Sequence, residues 1–209
     1  AHWIFRITTD EIWVNPNSPL VPALLRPRGL GDHFFTSPPT LSLIDSLPDT
    51  GLAQSALLRI HAAISRGESI LVCGDYDVDG VTATTLLVEG LSRMGGKMQW
   101  YVPHRHGEGY GISREAIALA VKQKISLIIT VDCGIADAVK IAEARALGVD
   151  VVVTDHHRIP DMLPDAAGIL HPGVYDARFK GIAGVGMAFK LVQTLAERYF
   201  PSFDVAPLL

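Results

Sequence analysis

Three short stretches of this sequence carry residue types that bind divalent cations. The first is Gly74-Asp75-Tyr76-Asp77-Val78-Asp79-Gly80, with an acid at every second position. The second is Val131-Asp132-Cys133-Gly134, and the third is Asp155-His156-His157. No lysine or arginine stands inside any of them. If the first stretch stays extended, its carboxylates share one side. Together with Asp132 and Asp155 they form a set that repels itself, unless some acids are protonated or cations neutralise them. Oxygen-rich ligands with one or two imidazoles suit Mn²⁺ or Mg²⁺ better than the thiolate sites that zinc prefers.

Several of these residues admit a second reading. Asp79 also suits the N-cap of a helix starting at Val81. Asp75 either ligates or only shapes the loop. Adjacent His156 and His157 point in different directions, so one can bind metal while the other faces a substrate. Cys73 and Cys133 flank the motifs as soft ligands or, more simply, as small buried residues at strand ends. In Pro103-His104-Arg105-His106-Gly107-Glu108-Gly109-Tyr110-Gly111, Arg105 is placed to hold a phosphate. Tyr110 either stacks on a base or sugar or packs on the helix that follows. The run Gly181-Ile182-Ala183-Gly184-Val185-Gly186 opens the last helix, where glycine either seats a phosphate or permits close packing.

These residues need a frame, and the hydrophobic pattern supplies one. Ala53, Ala56, Leu57, Ile60, Ala63 and Ile64 recur at helical spacing. Short apolar runs follow at 69–73, 98–102, 126–131, 149–154 and 168–171, with amphipathic helices expected over 81–94, 113–123, 136–147 and 183–199. The runs are uniformly apolar rather than alternating, the mark of strands buried on both faces. The expected fold is α/β: a doubly wound, mainly parallel five-stranded sheet with helices on both faces. In such a sheet the strands' carboxyl ends share one edge, and ligands bind in the crevice there. Runs one, three and four end in the three acidic motifs. Residues 1–50 read as an irregular arm with short helices, broken at Pro16-Asn17-Ser18-Pro19 and Pro38-Pro39. Residues 51–209 read as one larger α/β domain.

The 209 residues are 48% hydrophobic and 19% charged, a globular composition that excludes a disordered chain. No apolar run is long enough to span a bilayer, so no membrane association is expected. The opening Ala-His-Trp-Ile-Phe-Arg lacks the charged and apolar regions of a secretory signal. With two cysteines and no disulfide framework, a cytoplasmic setting is the default. The net charge of −4 alone disfavours nucleic acid as a partner, but two divalent cations would cancel it.

On the residues quoted, the chain resembles the DHH phosphoesterase superfamily, whose first three motifs match the three acidic stretches. The Gly-Asp-Tyr-Asp-x-Asp-Gly form resembles its RecJ branch of single-strand-specific 5′-to-3′ exonucleases. Arg105, Gly109-Tyr110-Gly111 and Ala183-Gly184-Val185-Gly186 are supporting matches, and the likeness extends over nearly the whole chain. The resemblance implies metal-dependent phosphodiester hydrolysis on single-stranded DNA, in repair and recombination. It implies Mn²⁺ (or Mg²⁺) as cofactor, two ions in all, with Asp77, Asp79, Asp132 and His156 as ligands and Asp132 bridging. It places His157 on the scissile phosphate and makes Asp155 the residue that orients the histidines. Single-strand-binding protein and a helicase are the further partners it implies.

Two departures stand out. Many members carry a histidine where Cys73 stands, four residues before Asp77. RecJ-like chains also continue beyond the position of Leu209, adding a late aspartate ligand and a second domain, so this chain reads as an amino-terminal portion. Two other functions remain open: a small-substrate phosphodiesterase acting on short oligonucleotides, cyclic dinucleotides or pyrophosphate, and a non-catalytic scaffold in replication or repair.

Overall fold

A computed structural model of the protein describes Leu47 and residues 51–104, 109–175 and 181–208. The expected arm, apart from Leu47, and Arg105 lie outside the described residues. The helical periodicity of the first regular segment forms α1 (Gly51–Arg66), with Ala53, Ala56, Leu57, Ile60, Ala63 and Ile64 as its buried face. Then follow β1 (Ser69–Gly74), α2 (Val78–Arg93), β2 (Lys97–Tyr101), α3 (Arg114–Lys122), β3 (Leu127–Val131), α4 (Ala138–Ala146), β4 (Asp150–Thr154) and β5 (Gly168–Leu170). A single turn, α5 (Pro172–Tyr175), and the long α6 (Gly184–Tyr199) complete the main elements.

All five strands are parallel, in the order β2-β1-β3-β4-β5. β1, β3 and β4 are buried nearly end to end, which explains their unbroken apolar sequence. β2 is an edge strand, and its Trp100 is exposed accordingly. Leu71, Cys73, Ile128, Val151, Val153 and Ile169 pack on one face against Ile112, Ala116 and Ile117 around α3 and Ile141 and Ala144 of α4. α1, α2 and α6 cover the other face, with α2 and α6 packed on each other.

The chain order decides where the crevice lies. β1 leads to β2 on one side, and the chain then crosses back over β1 to place β3 on the other. Right-handed crossovers put α2 and α3 on opposite faces when the direction reverses. The loops after β1 and β3 therefore part from each other, and the switch point opens between them at the carboxyl edge. Both loops carry acids.

Candidate metal centre

The first loop differs from the extended stretch expected. Asp77 is the N-cap of α2, its Oδ1 accepting from the Gly80 amide at 2.9 Å. The helix thus begins at Val78, not near Val81, and Asp79 lies in its first turn. Asp79 does not cap this helix. Its carboxylate instead accepts from the Gly184 and Val185 amides at the start of α6, each at 2.7 Å. The loop folds tightly enough that a Cβ on Gly80 would lie 2.4 Å from the Asp75 carbonyl oxygen, so only glycine fits there.

Asp132 follows β3 with φ of 59°, a left-handed conformation that aspartate tolerates better than most residues. Its amide donates to the Thr154 carbonyl at 3.0 Å, and the turn leaves the residue only 1% exposed. Its Oδ1 is buried without a hydrogen-bond partner. His156 Nε2 lies 2.9 Å from that oxygen, without hydrogen-bond alignment, and 3.6 Å from Asp79 Oδ2. Burial, and then the charges of Asp79 and Asp77, push the Asp132 carboxyl up to about 7. Potential donor atoms gather in two groups, each within 4.8 Å: Asp75, Asp77 and Asp132 in one, Asp132, His156 and His157 in the other. Asp132 belongs to both.

Asp155 is occupied by the protein itself. Its Oδ2 accepts from the Ile135 amide at 2.9 Å, and its Oδ1 from the His156 and His157 amides at 2.7 and 3.1 Å. The same Oδ1 is 2.8 Å from His157 Nδ1. Burial pulls the His157 imidazole down, but the Asp155 bond and the surrounding carboxylates outweigh it, so its pKa is raised. The Tyr110 hydroxyl lies 2.8 Å from His157 Nδ1 and donates to the Asp132 carbonyl at 3.2 Å. Its ring meets His157 edge-on, with centroids 5.4 Å apart. Burial first, and then the nearby acids, raise the phenol's pKa and keep it protonated. Beside the two readings of Tyr110 from the sequence, the structure adds a contact that braces His157.

The cysteines stand apart from both donor groups. Cys73 is buried in the core between β1 and the α3–α4 layer, and burial pushes its thiol up to about 12. Cys133 is also buried, its Sγ 3.8 Å from the Cys73 carbonyl oxygen. No helix among the described residues is long and apolar enough to cross a membrane.

Residues 69–208 match the DHH family, N-terminal domain. The chain belongs to the DHH family. The single-stranded-DNA-specific exonuclease RecJ of Bacillus subtilis (strain 168) is 39% identical over 193 residues, covering 90% of this chain and 24% of the relative. RecJ of Thermus thermophilus is 39% identical over 152 residues, or 73% of this chain and 22% of the relative. A crystal structure of exonuclease RecJ bound to manganese superposes with a TM-score of 0.65 at 38% identity, covering 73% of this chain and 39% of that one. Thermus thermophilus RecJ in complex with Mn²⁺ gives 0.63 at 34% identity, covering 77% and 22%. The chain thus spans about a quarter of the length of these curated relatives.

Two features of this DHH chain went unread in the sequence. His171, buried just after β5, accepts from the Gly173 amide through Nδ1 at 3.0 Å and meets the His157 carbonyl through Nε2 at 2.7 Å. Those partners fix its tautomer with the proton on Nε2, and burial lowers its pKa. The other is the bond between Asp79 and α6, which the glycines before the last helix signalled only as a general anion seat.

Proposed function

We propose that this chain forms the metal-binding part of the active site of a 5′-to-3′ single-stranded DNA exonuclease. The observation that carries the reading is Asp132: a buried carboxylate at the sheet's switch point, with an unpartnered oxygen, common to both groups of donors. A cation is what such a site is built to receive, since ionising Asp132 otherwise places like charges side by side. Asp77, Asp132 and His156 from these groups, with Asp79 3.6 Å from His156 Nε2, would hold the ions, and an oxygen-rich set of this kind suits Mn²⁺ or Mg²⁺. Bound ions of this type clamp a phosphodiester, lower the pKa of water and stabilise the leaving oxygen.

The chain's own groups supply orientation. Asp155 takes no part in binding the ions. Its four contacts hold the His156–His157 backbone and fix the His157 ring. His157, with its raised pKa and half-exposed side chain, offers a proton and positive charge to the scissile phosphate. Tyr110 limits the swing of that ring. Arg105 would add a phosphate contact. Asp75 adds a further carboxylate beside Asp77. Cys73, a buried thiol, is not counted among the ligands.

The likeness to RecJ supports single-stranded DNA as substrate, and with it single-strand-binding protein and a helicase as partners in the cytoplasm. We further propose that residues 51–209 act as the DHH domain and residues 1–50 as a separate arm. The test is Mn²⁺-dependent release of nucleotides from single-stranded DNA by the full-length polypeptide, with Asp132→Ala as control. Degradation from the 5′ end that is absent in the control supports the proposal. Equal activity in both proteins, or cleavage of dinucleotides but not of long strands, refutes it.

A further inference from the structure

We propose that the amino end of α6 is a seat that sets the metal-binding carboxylates in place before any cation arrives. Its Gly184 and Val185 amides hold Asp79, and the absent side chain of Gly184 makes room for Asp132.

Every helix starts with amides that have no partner inside the helix. At α6 the N-cap residue is Ala183, which offers no side-chain acceptor. Asp79 supplies both oxygens instead, from the first turn of α2: Oδ2 to the Gly184 amide and Oδ1 to the Val185 amide, each at 2.7 Å. Two short bonds to one carboxylate fix its plane, and the positive end of the helix favours its charge. Each oxygen keeps further acceptor capacity. Oδ2, which lies 3.6 Å from His156 Nε2, is therefore held without being used up.

Gly184 touches the second carboxylate as well. A Cβ at this position would lie 2.6 Å from Asp132 Oδ1 and 2.7 Å from its Cβ and Cγ. That Oδ1 is the buried oxygen without a hydrogen-bond partner. One residue thus contacts two carboxylates on different strands' loops, one through its amide and the other through its lack of a side chain. Gly186, one position beyond Val185, provides a contrast. A Cβ there would meet no carboxylate, only the Ile182 side chain at 2.6 Å.

The effect on Mn²⁺ rests on the metal reading above, whereas the effect on the ion-free fold does not. Two measurements on the 209-residue chain therefore separate them. In EDTA, Asp79→Ala leaves the α6 amides uncapped and lowers the melting temperature by about 2–6 °C. An unchanged melt overturns the seat. In the second, Mn²⁺ binding is followed by electron paramagnetic resonance. Gly184→Ala, with its far-UV circular dichroism intact, weakens binding at least about tenfold, because its Cβ displaces Asp132. Gly186→Ala stays within about twofold of the unaltered chain. Equal affinities for Gly184→Ala and the unaltered chain overturn the proposal. If Gly184→Ala fails to fold, the Asp79→Ala melt alone decides. If the unaltered chain binds no Mn²⁺, the metal reading fails while that melt still decides the seat.

Discussion

The two edges of the sheet treat charge in opposite ways. At the amino edge, Arg59 of α1 pairs with Glu68 at 2.7 Å and with Asp150 at 2.6 Å, and the Ser126 hydroxyl donates to Glu68 at 2.5 Å. Each acid there meets a cation or a hydroxyl. At the carboxyl edge, no lysine or arginine among the described residues pairs with Asp77, Asp79 or Asp132. Backbone amides, two histidines and helix ends hold those acids instead. The first arrangement is complete as it stands and ties α1 to β1, β3 and β4. The second leaves its carboxylates without a countercharge and drives the buried Asp132 toward its protonated form, its pKa raised to about 7. A fold that balances its charges at one edge and withholds the balance at the other fits the proposal that the second edge receives a cation.

The comparison breaks most sharply at Asp132. Asp132→Ala should reduce Mn²⁺-dependent hydrolysis by the full-length polypeptide by about three orders of magnitude or more, since it removes the carboxylate common to both donor groups. Steady-state assays on a 5′-labelled single strand measure this. Next come the histidines. His156→Ala should weaken Mn²⁺ binding, whereas His157→Ala should leave the metal bound and slow turnover by about 10²-fold. Equal loss of metal in both variants, seen by calorimetry, would show that the roles are wrongly divided.

At the amino edge the expected effect falls on stability alone. Arg59→Met strands Glu68 and Asp150 without their cation and should cost about 1–3 kcal/mol in denaturant melts. Mn²⁺ affinity should not change. A change in affinity would mean that the two edges are coupled and the contrast drawn here is false.

A further effect sharpens the contrast through pH. The Asp132 carboxyl is raised in the folded chain from an ordinary 3.8 to about 7. Between those values the folded state keeps a proton that the unfolded state releases, so rising pH favours unfolding. Its contribution is fully present below about pH 4 and is lost as pH rises through about 7. In EDTA, the unaltered chain should therefore lose stability relative to Asp132→Asn across this window. Parallel melting curves for the two proteins would contradict the assignment.

Much of this was legible in the sequence, for a physical reason. Strands buried on both faces have no polar side to show, so β1, β3 and β4 read as apolar runs, and Asp77, Asp132 and His156 stood out as polar residues at their ends. What stayed hidden depends on which loops meet. Asp79 binds amides 105 and 106 positions away, and Tyr110 reaches His157 across 47. Those pairings follow from the strand order, which local pattern does not encode. The start of α2 was misplaced because both Asp77 and Asp79 are good caps. In the fold Asp77 caps α2 while the distant amides of α6 take up Asp79.

The central claim is that the carboxyl edge is a metal centre built around Asp132. Anomalous diffraction from crystals soaked in Mn²⁺ tests it most directly. The account predicts peaks at the ends of β1, β3 and β4, within bonding distance of Asp132, that vanish in Asp132→Ala. Crystals of the unaltered chain with no peak at this edge, at millimolar Mn²⁺ and neutral pH, would contradict it.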